Sequence, residues 1–170
     1  MMRRFFFLFL VAVLATVVLR TLVIEGIYVA SASMEPTLPV GTKYFLEKLT
    51  VRLSGAKRAD IVVFPSPVEP GKDLIKRVIA VGGDKIELRN KEVYLDGLKL
   101  EESYVRHSRR NEVLEDDNVG PLEVAEGTVF VMGDNRDESG DSRDWKNIET
   151  GEHIYFIPVK SLKGKIILLF

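Results

Sequence analysis

Hydrophobic positions along this chain follow two different patterns. From Phe5 to Leu19 every face is apolar apart from Thr16, and Leu22-Val23-Ile24 continues the run past Arg20 and Thr21. A stripe with no polar side does not suit a helix packed on a soluble core. Phe5 to Ile24 is 20 residues, the length that crosses a hydrocarbon core as a helix. After Leu38 the pattern shortens. Lys43 to Leu49 mixes aromatic and charged positions, and Asp60-Ile61-Val62-Val63-Phe64 is a β-branched run stopped by Pro65 and Pro67. Leu74 to Val81, Lys85 to Leu88, Glu92 to Leu95, Thr128 to Met132, Ile154 to Ile157 and Lys165 to Phe170 also read as strands, with an Asp96-Gly97 hairpin turn. Glu101 to Gly120 reads as a polar surface loop, and no amphipathic helix of three turns follows Ile24. The expected fold class is mainly β: an N-terminal transmembrane helix (1–24), then an all-β, mostly antiparallel domain (25–170). Residues 85–129 form a small accessory hairpin and loop region within it.

Composition narrows the function classes. Lys and Arg number 24 against 25 Asp and Glu, without the basic excess of a nucleic-acid binder. The absence of cysteine excludes disulfides, thiol catalysis and Cys-based zinc sites. Arg3 and Arg4 favour a cytoplasmic N-terminus, with the body of the chain on the outer face. Arg20, near the end of the span, is placed to snorkel to the headgroups. A cleavable leader is the rival reading, since Ala30-Ser31-Ala32 has the small-x-small form of a cleavage site. Arg20, Glu25 and the long gap from Leu19 count against it.

Three features carry chemistry. Ser33, in Ser33-Met34-Glu35-Pro36-Thr37-Leu38, lies nine residues past Ile24 and is a candidate nucleophile at a membrane surface. Lys76 interrupts Leu74-Ile75-x-x-Val78-Ile79-Ala80-Val81, otherwise a strand buried on both faces. A Lys on a strand usually faces water; a buried one loses its proton more readily. Bringing its pKa to about 7 corresponds to about 4.6 kcal/mol against the charged form. The neutral amine then serves as base toward a hydroxyl, a Ser-Lys variant of the serine-protease theme. Third is Gly133-Asp134-Asn135-Arg136-Asp137-Glu138-Ser139-Gly140-Asp141-Ser142-Arg143. It fails as a calcium loop, because Ser142 stands where Gly is needed and the closing Glu is missing. It reads instead as an internally paired loop, with Ser139 orienting a neutral Lys and Asp141 with Arg143 bracing it. His107 and His153 lie in a polar loop and near a turn, poor places for a triad base. No metal site or cofactor is expected.

Taken together, these segments resemble bacterial type I signal peptidases. Ser-Met-x-Pro-Thr-Leu at 33–38, Ala-Asp-Ile-Val-Val-Phe at 59–64, Ile-Lys-Arg-Val at 75–78, Gly-Asp-Lys-Ile at 83–86 and the 133–143 loop occur in that family's order, with Glu101 to Pro121 unmatched. The resemblance implies a retained N-terminal anchor and a Ser33–Lys76 dyad. It implies Ser31 and the Ser33 N–H as oxyanion donors, Ser139, Asp141 and Arg143 as support for the lysine, and Arg77 with Asp134 as an ion pair. It further implies a single-pass enzyme of the plasma or inner membrane that cuts signal peptides from exported preproteins after small residues at −1 and −3. Its partners would be those peptides and the lipid bilayer, with no nucleic acid, and it would act as a monomer.

By the same resemblance Ile27, Val29, Ala30, Met34, Leu38 and Ile75 line the substrate pockets, and an extended substrate adds to the Ile27–Ser31 strand. The enzyme's own Ala30-Ser31-Ala32 is expected to be protected by structure. Two departures stand out. Trp145 is followed by Lys146 where the family has Gly, and Asn147 to His153 reads as an insertion before Phe156-Ile157-Pro158. Alternatives are a Ser-Lys protease that matures a single precursor, and a non-catalytic anchored domain that binds extended peptides.

Overall fold

The computed structural model describes residues 2–18 and 22–167. The N-terminal helix α1 (Met2–Val18) has 17 residues and displays Phe5, Phe6, Phe7, Leu8 and Phe9 outward. Among the described residues no helix is long and apolar enough to cross a membrane. The expected helical limit at Ile24 is corrected. Ile24 opens strand β1 (Ile24–Tyr28), where its backbone is committed to a ladder rather than to a helix. Leu19, Arg20, Thr21 and the last three residues of the expected terminal strand, 168–170, lie outside the described residues.

Among the described residues, eleven strands form two antiparallel sheets. After β1 come β2 (Lys43–Glu47), a short helix α2 (Leu49–Ser54), β3 (Ile61–Pro65) and β4 (Asp73–Val81). The chain continues through β5 (Lys85–Arg89), β6 (Glu92–Leu95), β7 (Leu98–Lys99), β8 (Val119–Glu123), β9 (Thr128–Met132), β10 (Ile157–Pro158) and β11 (Gly164–Ile167). The larger sheet has the order β1-β2-β11-β3-β4-β9-β10, and the smaller β7-β6-β5-β8.

Most expected strands appear within a residue or two of their predicted limits. The run at 154–157 is the exception. Only Ile157 and Pro158 pair with β9, while Tyr155 and Phe156 turn aside to pack on the core cluster that the two sheets share. Strand β8 was hidden in the polar loop because Gly120 and Pro121 interrupt its alternation. Gly120, at φ +87, leaves room for the Ile86 carbonyl, which a Cβ would approach to 2.9 Å.

Alternation in β3 sends Val62 and Phe64 to one core cluster and Ile61 and Val63 to another. β4 lies between β3 and β9, so both of its edges are paired, its side chains on both faces meet core clusters, and Lys76 sits opposite Val62. Central placement removes this lysine from water, where an edge strand would have left it solvated. The Asn147–His153 insertion folds into a tight turn closed by a bridge between Lys146 and His153. Trp145 stays buried beside it, edge-on to Phe64 at 5.9 Å between ring centroids.

Candidate active site

Ser33 is carried on a 3-10 turn, Ala32–Met34, where the chain leaves β1. The Ala32 carbonyl accepts from the Glu35 N–H and from Asn135 Nδ2, both at 3.1 Å. The Ser33 carbonyl accepts from the Asn135 N–H, also at 3.1 Å. One residue of the distant loop, Asn135, thus holds the Ser33 turn from two directions, through its side-chain amide and its main-chain N–H. Ala30-Ser31-Ala32, with the small-x-small form of a cleavage site, is tied into this turn. The Ser31 and Ser33 hydroxyls are 3.3 Å apart.

Lys76 is 3% exposed, and its Nζ donates to Ser139 Oγ at 2.8 Å. Ser139 Oγ in turn donates to Asp141 Oδ2 at 2.8 Å. A hydroxyl has one proton. Since that proton goes to the carboxylate, Ser139 must accept from the amine. A neutral lysine held this way spends one N–H on Ser139 and keeps its lone pair free. Asp141 is fully buried and receives the Gly133 N–H at 2.9 Å and Arg143 Nε at 2.8 Å. The loop closes back on its own strand, with Ser142 Oγ accepting from the Val131 N–H.

Burial is the main force on Lys76 and pulls its pKa down to about 8. The Asp141 carboxylate opposes it by favouring the charged amine. Burial also presses the Asp141 carboxyl upward, but the Arg143 guanidinium, the Lys76 amine and the Gly133 N–H together outweigh it, and Asp141 stays below the ordinary carboxylate range. Asp144, which accepts the Asp141 N–H, is pushed up to about 7 by burial, the Asp141 charge and a bond with Asp116.

Arg77 points to the other face of β4. It makes a two-pronged pair with Asp134, Nε to Oδ1 at 2.8 Å and a terminal nitrogen to Oδ2 at 2.6 Å. Tyr104 covers its guanidinium at 3.9 Å, and Thr37 donates to the same carboxylate. This cluster ties the Ser33 segment, β4 and the 133–143 loop together.

Ser31, Ser33, Lys76, Val29, Ala30, Met34 and Ile75 all line one cavity of about 450 Å³. Leu38 does not reach it. It is fully buried in the core with Leu46 and Val63, and Ile27 packs against that same cluster. Of these two expected pocket residues, Leu38 thus belongs to the core, and Ile27 stands partly buried beside it rather than in the cavity wall. The regular strand also ends at Tyr28, and Val29 pairs instead with Gly41 and Thr42. Trp145, Leu74 and Gly140 stand in the wall without having been foreseen, as does the part of Asn135 in holding Ser33. Trp145 was legible only as a large apolar residue beside a polar loop. Asn135 sat among turn-forming residues with nothing to set it apart.

Comparison with known proteins places the family and the fold. The profile of the family described as signal peptidase, peptidase S26, matches residues 2–170. A probable signal peptidase I-2 of a Synechocystis species is 34% identical over 164 residues, covering 94% of this chain and 68% of that protein. The signal peptidase I of Bacillus licheniformis is 33% identical over 165 residues, 91% and 88% of the two chains. Among solved structures, a signal peptidase I from Enterococcus faecalis is similar at a TM-score of 0.51 and 31% identity, covering 66% of this chain and 97% of that one. On its sequence and its fold, this chain belongs to the signal peptidase family, peptidase S26.

Proposed function

We propose that this chain is a membrane-tethered serine endopeptidase that removes N-terminal signal peptides from exported preproteins, with Ser33 as nucleophile and Lys76 as general base. The observation that carries the reading is the relay Lys76–Ser139–Asp141–Arg143, which ends in the cavity that holds Ser33. Ser33 Oγ attacks the scissile carbonyl, and Lys76 Nζ takes its proton and returns it to the leaving amine. The Ser31 hydroxyl and the Ser33 N–H stabilise the oxyanion, and water then releases the acyl-enzyme. Ser139 and Asp141 hold the amine, and Arg143 fixes Asp141. Arg77 and Asp134 keep the three segments in register.

Val29, Ala30, Met34 and Ile75, with Trp145, form the largely apolar wall that accepts small residues at −1 and −3. Large side chains clash against that wall. The apolar residues of α1, exposed on every side, suit lipid rather than water, and Arg3 and Arg4 favour a cytoplasmic N-terminus with the β domain on the outer face.

Cleavage of purified preproteins by the full chain in lipid tests this reading. Ser33→Ala and Lys76→Ala each abolish cleavage, and Lys76→Arg does too, because Arg remains charged. Near-normal cleavage by any of the three variants sinks the dyad. A panel of unrelated preproteins is cut broadly; cutting of one alone would favour a dedicated processing role.

A further inference from the structure

A second cavity, of about 550 Å³, opens between α2 and the turn at 159–163, remote in sequence from every residue of the dyad and its support. Its wall carries three cations, Arg52, Lys160 and Lys163, over a floor that includes Val51 and Leu162, and no carboxylate lines it. Lys163 reaches Asp73 outside the cavity at 2.6 Å. Arg52 and Lys160 make no ion pair among the described residues. Like charges held around one hollow repel, so this arrangement is stabilised by an anion.

The same helix has an unusual apolar side. Leu53 is 81% exposed and Leu49 is exposed as well. Residues three and four apart share a helix face, so Leu49, Arg52 and Leu53 project together. The place of α2 is also specific. The Lys48 N–H bonds the Val23 carbonyl at 3.0 Å, and Glu47 pairs with Ile24. α2 therefore begins beside the point where the chain arrives from the apolar N-terminal segment. Cations with leucines at their side, next to a membrane tether, match a lipid surface: phosphate for the cations, the acyl boundary for the leucines. A free phosphate would leave Leu49 and Leu53 without a role.

We propose that the cavity bounded by Arg52, Lys160 and Lys163 binds the headgroup of an anionic phospholipid, with Leu49 and Leu53 entering the acyl boundary. The inference rests on the membrane-tethered reading above. A second attachment beside a single helix restricts the tilt of the β domain and keeps the Ser33 cavity at one height over the bilayer.

The chain has no cysteine, so a single thiol can be labelled cleanly. The full chain carrying Leu53→Cys with an environment-sensitive fluorophore is placed in nanodiscs with quencher-bearing acyl chains. One set is phosphatidylcholine alone, the other equal parts of phosphatidylcholine and phosphatidylglycerol. Quenching at position 53 is expected to be at least about twofold stronger with phosphatidylglycerol. Adding Arg52→Gln and Lys160→Gln is expected to weaken docking by roughly thirtyfold. Arg52→Lys with Lys160→Arg, which keeps the charges, preserves it, and loss of docking in that variant overturns charge recognition. Equal quenching in the two lipid mixtures overturns the proposal. So does release of the probe by millimolar inorganic phosphate at constant ionic strength, which assigns the site to free phosphate. A Val11→Cys probe in α1 separates the two readings. If it is quenched while position 53 is not, the headgroup site is refuted and the tether stands. If neither is quenched, the tether itself is wrong, and the headgroup site with it.

Discussion

Gly133→Ala offers a severe test of how the site is assembled. Gly133 follows the last residue of β9 and has no side chain between Ser33 and Ser139. A Cβ placed on it would lie 2.5 Å from Ser139 Cβ and 2.5 Å from the Ser33 carbonyl oxygen, with Ser139 Oγ nearer still. Carbon contacts settle at about 3.5–4.0 Å, so these neighbours must retreat by about 1 Å. Neither is the loose end of a flexible side chain. The Ser33 carbonyl is held by Asn135, and Ser139 Oγ is fixed between Lys76 Nζ and Asp141. The overlap therefore pushes the nucleophile's turn away from the hydroxyl that orients the base. A misplacement of about 1 Å costs about a hundredfold in rate, and overpacking a core of this density costs about 1–3 kcal/mol. The expected result is a kcat lowered by about a hundredfold on a signal-peptide substrate. KM changes little, because Val29, Ala30 and Ile75 are untouched, and a denaturant titration shows the loss of stability. A Gly133→Ala enzyme with wild-type kcat would refute the idea that close approach at this glycine sets the dyad.

Three more tests follow from the geometry. With Lys76 at about 8, kcat/KM climbs about tenfold per pH unit below that value and levels above about pH 9, because the neutral amine is the base. A flat profile across this range refutes a lysine base, and Asp141→Asn, which removes the charge holding the pKa up, moves the rising limb to lower pH while lowering the rate. Asp134→Ala leaves Arg77 buried and unpaired, at a cost of about 3–5 kcal/mol in a urea titration; a loss below about 1 kcal/mol would show the pair to be dispensable. Trp145→Ala removes a buried ring from the cavity wall, destabilising by about 3–5 kcal/mol, and raises cleavage of precursors with a larger −1 or −3 residue relative to alanine; unchanged selectivity places the size filter elsewhere.

The strands were legible in the sequence where side-chain chemistry agreed with the period. Asp60 to Phe64 and Thr128 to Met132 are β-branched, apolar and ended by Pro or Gly, so their existence and approximate limits followed directly. Strand β8 was not legible, because Gly120 and Pro121 break the alternation that a bulge then tolerates. Lys76 was legible as a contradiction, one charge within a strand otherwise buried on both faces, and its central place in the sheet explains the contradiction physically. Leu38 misled for the opposite reason. An apolar side chain five residues from Ser33 is equally suited to a pocket wall and to the core, and only packing against Leu46 and Val63 decides. Asn135 left no trace in the sequence, since its role depends on main-chain groups about a hundred positions away.

The bonds on the Ala32 carbonyl bear on how long such an enzyme lasts. Its own small-x-small segment ends at the bond before Ser33, the residue assigned to make the attack. No molecule can present that bond to its own serine. A neighbouring copy can cut it only after the Asn135 bridge and the 3-10 turn have opened, and opening them already dismantles the site. Activity is thus lost before the chain is severed. The rate at which fragments accumulate then follows the frequency of local opening, so variants that loosen the Asn135 bridge shorten the enzyme's working life even where each surviving molecule cuts at full speed.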